Sequence, residues 1–268
     1  PTSTPTDTPT YTPTATFTDT ATATPTDTPT VTPTPTDTPA LEDKFVLTGF
    51  GEVYQIGSAS PTVDLQLPAG MARAFEVTPS RKGFVILDIL GNVYLEGDAA
   101  GLNIDAPVFG FDIARDIALN ATGDGAYVLT GFGPVHPVNV PPDEFFGGFY
   151  FGSFIHPFDV ARDMEAIANP AGSVTGYYVL DALGGVHALG GAPWMGNLDF
   201  GYELARDVEV MPTQSGYAVL DGYGGVQFFP SELQDSPMVQ SWLTGAPYFG
   251  WDIARDLEFS PGRGMAAN

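Results

Sequence analysis

The sequence contains no cysteine, so a disulfide framework and a thiolate metal site are excluded, while the redox compartment stays open. Basic residues are scarce: nine Lys and Arg stand against 32 Asp and Glu, for a net charge of -23. That balance argues against nucleic acid as a partner and makes the chain repel anionic surfaces. No run approaches the roughly 18–20 consecutive apolar residues of a membrane helix, so no membrane span is expected. No secretory leader is visible; because the chain begins inside a repeat, a processed or truncated N-terminus is expected, and a lost leader would leave the same picture. Residues 1–40 hold only Tyr11, Phe17 and Val31 as large apolar side chains and cannot build a core. Leu41–Asn268 is long enough for one large domain.

Threonine and proline fill the first forty residues. Threonine occupies every even position: Thr2, Thr4, Thr6, Thr8, Thr10, Thr12, Thr14, Thr16, Thr18, Thr20, Thr22, Thr24, Thr26, Thr28, Thr30, Thr32, Thr34, Thr36 and Thr38. Proline recurs every fourth residue, at Pro1, Pro5, Pro9, Pro13, Pro25, Pro29 and Pro33. The register is P-T-x-T, with Phe17, Ala21 and Asp37 standing where proline would fall. Proline fixes its own φ and pushes the residue before it to extended backbone, and β-branched threonine disfavours helix. The segment is therefore expected to be extended, spanning roughly 120 Å at about 3.1 Å per residue. Two readings fit: a plain solvated linker, or a rod whose threonines carry covalent O-glycans. The strict period favours the rod, because a linker needs composition and not register.

The P-T-x-T tract resembles the linear tetrapeptide repeats of bacterial glycan-coated fibrils. That resemblance covers residues 1–40 alone. It implies sugars on the threonines, modification of the seven prolines and an extracellular or cell-surface setting, with self-association into a fibril. The substitutions at Phe17, Ala21 and Asp37 break the proline pattern in three tetrads.

The remainder repeats. "GFVILDILGNVYLEG", "GAYVLTGFGPVHPV", "GYYVLDALGGVHALGG" and "GYAVLDGYGGVQFF" begin at Gly83, Gly125, Gly176 and Gly216, and "KFVLTGFGEVYQIG" begins at Lys44. An Ala-Arg pair marks each unit, with arginines at Arg73, Arg115, Arg162, Arg206 and Arg255, spaced by 42, 47, 44 and 49 residues. That period suits a propeller blade of about 40–50 residues rather than a helical hairpin. Segments such as "YYVLD" are nearly all apolar, which predicts strands buried on both faces. The first unit lacks an "ARD" strand and the last lacks a "GYxVLD" strand. The expected fold is therefore all-β: a five-bladed β-propeller over 41–268, closed by terminal strands as residues 252–260 pair beside 44–57. "PGRGMAAN" leaves open a degraded sixth repeat of a longer protein.

The repeated acids and arginines are the candidates for chemistry. Asp112, Asp159, Glu203 and Asp252 stand three residues before the arginine; Asp116, Asp163, Asp207 and Asp256 follow it. One arginine per blade suits a tie between blades. An anion site and a Ca²⁺ site are the alternatives, though the acids lack the spacing of a calcium loop. The first unit departs from the pattern, with Gly70 and Ala74 in place of acids. Asp88, Asp181 and Asp221, with Thr48 and Thr130 in the other units, are expected to cap turns. His136 and His187 fall at equivalent positions in different units, which disfavours a shared metal. No nucleotide fingerprint, nucleophile elbow or metalloprotease motif occurs, so neither an enzyme nor a cofactor is expected. The aromatic insertion Pro137–Pro157 reads either as a long buried strand or as an exposed patch for a sugar or partner subunit. Together these features point to a structural subunit of a glycosylated extracellular fibril, with a lectin-like module on a stalk as the alternative.

Overall fold

The apolar stretches beginning at Gly83, Gly125, Gly176 and Gly216 become the middle strands of small antiparallel sheets, while that of the first unit, Phe45–Leu47, stands at the end of its described sheet. The computed structural model describes residues 45–55, 60–151, 158–211, 213–243, 248–252, 254 and 257. The chain divides into Pro1–Ala40 and Leu41–Asn268, and all of the first unit lies outside the described residues. The candidate glycosylation threonines and modified prolines therefore lie outside them, as do Phe154, His156, Arg255, Asp256 and most of the segment 252–260.

Among the described residues, five three-stranded sheets follow in chain order. They are β1 (Phe45–Leu47), β2 (Glu52–Gln55) and β3 (Val63–Asp64); β4 (Ala72–Val77), β5 (Gly83–Asp88) and β6 (Val93–Gly97); and β7 (Ala114–Leu119), β8 (Ala126–Thr130) and β9 (Val135–Val138). The fourth holds β10 (Ala161–Ala168), β11 (Val174–Asp181) and β12 (Val186–Gly190), and the fifth β13 (Ala205–Val210), β14 (Tyr217–Asp221) and β15 (Val226–Phe229). All residues of β5 and β8 are buried, as a strand covered on both faces requires. Successive side chains on a strand point to opposite faces, so each middle strand feeds two cores. Ile86 packs with Val53 and Val63 of the first sheet, while Leu87 packs with Ile117 and Val128 of the third. Leu129 meets Tyr177 and Val179 of the fourth, and Leu180 meets Tyr217 and Val219 of the fifth.

The first strands β4, β7, β10 and β13 lie against one another in succession. One backbone bond recurs at every step. The N–H of Ala72, Ala114, Ala161, Ala205 and Ala254 donates to the carbonyl of Gly49, Ile89, Gly131, Ala182 and Gly222 respectively, at 2.9–3.1 Å. Ala254 thus repeats the placement of the four alanines before it. The outer face of the fifth sheet, with Met211, Ala218 and Phe228, is covered by Val239 and Leu257. Val239 lies on α1 (Pro237–Leu243), a helix that the repeat pattern does not announce. Among the described residues no helix is long and apolar enough to cross a membrane.

Four of the five turns behave as expected; in the fifth, Pro134 has no N–H to give and Thr130 Oγ1 instead donates to the Pro134 carbonyl at 3.1 Å. Asp88 Oδ1 accepts the N–H groups of Leu90 and Asn92, and Asp181 and Asp221 do the same for Leu183 and Gly185 and for Tyr223 and Gly225. Thr48 Oγ1 substitutes for the carboxylate, accepting from Phe50 and Glu52 at 3.3 Å.

The insertion is not one long strand. β9 ends at Val138, and a single 3₁₀ turn, Pro142–Glu144, leads into irregular chain as far as Phe151. Three prolines, Pro137, Pro141 and Pro142, withhold the N–H groups that a continued ladder needs. Buried tyrosines hold it instead: Tyr127 donates to the Glu144 carbonyl at 2.9 Å, and Tyr177 accepts from the Phe146 N–H at 3.2 Å and donates to the Gly147 carbonyl. Burial pushes Tyr177 up to about 12, so it keeps its proton at neutral pH. Phe146 and Phe151 turn inward, whereas Phe145 and Phe149 remain exposed. Tyr177→Phe removes both hydroxyl bonds and should cost about 1–3 kcal/mol. Limited proteolysis of this variant should cut faster within residues 139–150, while β10 and β11 stay protected.

Candidate functional site

The Ala-Arg pair marks a β-bulge in β4, β7, β10 and β13. The pairing of each first strand with its neighbour slips by one residue between Ala72 and Ala74, Ala114 and Asp116, Ala161 and Asp163, and Ala205 and Asp207. The extra residue is the arginine. A bulge lets two consecutive side chains turn to the same side, so arginine and aspartate both line one cavity. That cavity has a volume of ≈ 790 Å³ and is walled by β4, β7, β10 and β13, with Phe45–Gly49 and Gly70 also lining it.

The arginines run from unit to unit. Arg73 donates to Asp112 at 3.2 Å. Arg115 holds Asp112 of its own unit at 2.8 Å and donates through Nε and Nη2 to both oxygens of Asp159 in the next, the Nε bond being 3.0 Å. Arg162 lies 3.6 Å from Asp159 and donates to Glu203 at 3.1 Å. Arg206 donates to the Glu203 carbonyl at 3.3 Å and to both oxygens of Asp252. Two of these pairs are two-pronged, the geometry a planar guanidinium favours. The acids three residues before each arginine are therefore the acceptors for the preceding unit. Gly70 provides no such acceptor in the first unit, and Arg255 lies outside the described residues.

The aspartates form a second series. Asp116 accepts the Met164 N–H at 3.1 Å, Asp163 the Val208 N–H at 2.9 Å, and Asp207 the Leu257 N–H at 2.9 Å. Each thereby accepts the backbone N–H three residues beyond the recurring alanine of the next unit; Ala74 has no side-chain acceptor to do so. Leu257 again takes the place that the repeat assigns to a fifth first strand.

Six acids, Glu76, Asp116, Asp163, Glu165, Asp207 and Glu209, share the cavity with four arginines already drawn to other carboxylates. Each of these four arginines is paired with a carboxylate, the arrangement of a tie between units. Among the described residues no group of three or more His, Asp or Glu is arranged to hold a metal ion. Burial pushes the Asp116 carboxyl well above the usual range, and the negative charges of Asp163 and Glu76 add to it. Burial also raises Asp163, against the pull of its bonds with Asp207 and the Val208 N–H. Raised carboxyls favour the folded state when protonated, so their contribution is full below the ordinary value of 3.8 and is lost as pH rises through the raised one. Asp98 and Asp124, held low by hydroxyl and amide donors, act in the opposite sense and lose their contribution as pH falls. Thermal stability should therefore peak on the acid side of neutrality. Asp116→Asn keeps an acceptor for Met164 without the buried charge; melting curves across pH should show it raised at neutral pH and flatter.

The two described histidines, His136 and His187, serve packing. His187 hydrogen-bonds Asp181 at 2.9 Å and stacks on Phe149 with centroids 4.0 Å apart. Burial opposes ionisation of Asp181, but the bonds from His187, Gly185 and Leu183 outweigh it and hold the carboxyl below its ordinary value. His136 packs edge-on against Phe109 at 5.1 Å, and burial lowers its pKa.

One repeated feature was not singled out by sequence reasoning. Four residues before the arginine stands an aromatic: Phe111, Phe158, Tyr202 and Trp251. Three of them follow a glycine of positive φ, at Gly110, Gly201 and Gly250, where the space around the α-carbon is open. The preceding phenylalanine is anchored: Phe109, Phe200 and Phe249 donate their N–H to Leu90, Leu183 and Tyr223 carbonyls at 2.7–2.9 Å. The left-handed glycine then turns the second ring outward. Four aromatics at the same repeat position with the right period were legible, but their hydrophobicity reads as core.

Fold and site together define an all-β repeat protein whose small sheets are tied in series by arginine–carboxylate pairs. No family model matches the chain, and no curated protein matches it. Among solved structures, the extracellular domain of a B. thetaiotaomicron protein described as a hybrid two component system is similar at 11% identity and a TM-score of 0.44, over 74% of this chain and 26% of that one. A functionally unknown protein from Desulfotomaculum acetoxidans is similar at 12% identity and a TM-score of 0.42, over 69% of this chain and 64% of that one. The chain thus spans about a quarter of the first and under two thirds of the second.

Proposed function

We propose that the chain is a structural subunit of an extracellular, glycosylated fibril or cell-surface appendage. In this reading residues 1–40 are a rod whose threonines bear O-glycans, and 41–268 is a five-bladed propeller that serves as the assembly module. The observation that carries it is the unbroken threonine period from Thr2 to Thr38, which supplies attachment points at fixed intervals along an extended chain. The network of the second unit supports a mechanical role, since its arginines and aspartates join one unit to the next. Closure of the ring by terminal strands is part of the proposal. The bonds of Ala254 and Leu257 support it, because they continue the series beyond β13, and β1 borders the same cavity. Intact-mass measurement on protein from its native source tests the reading. Added hexose masses on the N-terminal peptide are expected; an unmodified peptide overturns the glycan coat.

A further inference from the structure

The four outward rings occupy a surface that neither the core nor the arginine network requires. Phe111, Phe158, Tyr202 and Trp251 are 54%, 60%, 54% and 67% exposed. Each is followed in sequence by an acid of the network, Asp112, Asp159, Glu203 and Asp252, and each acid is held by the arginine of the preceding unit. One step of the repeat therefore offers an aromatic ring and, beside it, half-exposed carboxylate oxygens as acceptors, their charge balanced from beneath by the arginine. The same triad recurs at four successive units, while the first unit has Ala69 and Gly70 in those places. Tyr248 extends the last step and meets Tyr223 edge-on at 6.4 Å.

We propose that this face binds a neutral, hydroxyl-rich polymer: a glycan laid across successive units. Charge complementarity selects that class. The whole chain carries -23, which disfavours anionic partners, whereas the charges beside the rings are acid–arginine pairs and leave the surface locally neutral. A second copy of the chain suits the face less well. The core of a protein interface is depleted of charge, and here an exposed carboxylate follows every ring in sequence. A pyranose presents an apolar C–H face and a rim of hydroxyl donors, which matches a ring beside carboxylate acceptors. The proposal stands independently of whether the threonines are glycosylated or the chain forms filaments.

The test is affinity electrophoresis of the full chain through gels containing dextran, galactomannan or mixed-linkage β-glucan, with anionic alginate as control. Retardation by at least one neutral polymer and none by alginate is expected. Single changes Phe158→Ser and Trp251→Ser should each weaken it roughly two- to tenfold, the range set by about 0.5–1.5 kcal/mol per aromatic contact. The combined Phe111→Ser, Phe158→Ser, Tyr202→Ser and Trp251→Ser variant should abolish it while its melting temperature stays near that of the parent. Free migration in all three neutral gels, retardation by alginate alone, or retardation that survives the combined change overturns the proposal. Sedimentation showing that the combined change disperses oligomers, with no retardation of the parent by any neutral polymer, also overturns it and makes the face a contact between copies. Filament formation is scored separately, so failure here leaves the fibril reading to its own test.

Discussion

Arg115→Ala should lower the melting temperature of the chain by roughly 6–12 °C, from a loss of about 3 kcal/mol. Arg115 is 8% exposed and donates to Asp112, Asp159 and the Ala114 carbonyl at once. Its removal leaves two acids of adjacent units close together without their shared cation. The loss falls at the low end for a broken buried pair because both acids keep partial contact with water. Lysine should not rescue it: one ammonium lacks the fork that spans both carboxylates. Arg73 provides the internal control. It sits in the same motif but is 37% exposed and makes a single acid contact, so Arg73→Ala should cost at most about 1 kcal/mol. Equal losses for the two variants would show that position in the network does not govern the tie.

Gly133→Ala should be comparably damaging, at about 2–5 kcal/mol. Gly133 has φ +96°, where a side chain costs about 1–2 kcal/mol. Its added β-carbon would also stand 1.6 Å from the Phe149 carbonyl oxygen, so the backbone of the insertion would have to move, an overpacking strain of about 1–3 kcal/mol. That displacement would pull Phe149 from His187 and Phe151 from the core between the third and fourth sheets. The near-ultraviolet circular dichroism should weaken along with stability. Gly147→Ala separates the two causes: φ is +79° but nothing lies within 4 Å, so about 1–2 kcal/mol is expected.

Much of this architecture was legible in the sequence, for physical reasons that differ by element. "GFVILD" and "GYYVLD" are apolar at consecutive positions, and only a strand covered on both faces uses such a run, so the middle strands and their stacking followed. The spacing of the Ala-Arg pairs marked five units, and the five recurring alanine bonds coincide with them. The bulge at Arg115 did not follow. Alternation along a strand assigns Arg115 and Asp116 to opposite faces, and only their position between buried Ala114 and Ile117 hinted that both turn one way. Helix α1 is seven residues, two turns without a repeating apolar stripe, too short for periodicity to reveal. The outward rings of Phe111 and Trp251 were passed over because aromatic residues are usually assigned to cores. Their exposure depends on the conformation of Gly110 and Gly250, which composition does not disclose.

The central claim, that this chain builds a glycosylated fibril, is tested most directly by electron cryomicroscopy of material taken from its native source. The account predicts filaments in which five-bladed modules recur and in which density beyond the polypeptide decorates the Thr/Pro segment at the threonine spacing. Isolated particles with undecorated N-terminal segments would contradict it.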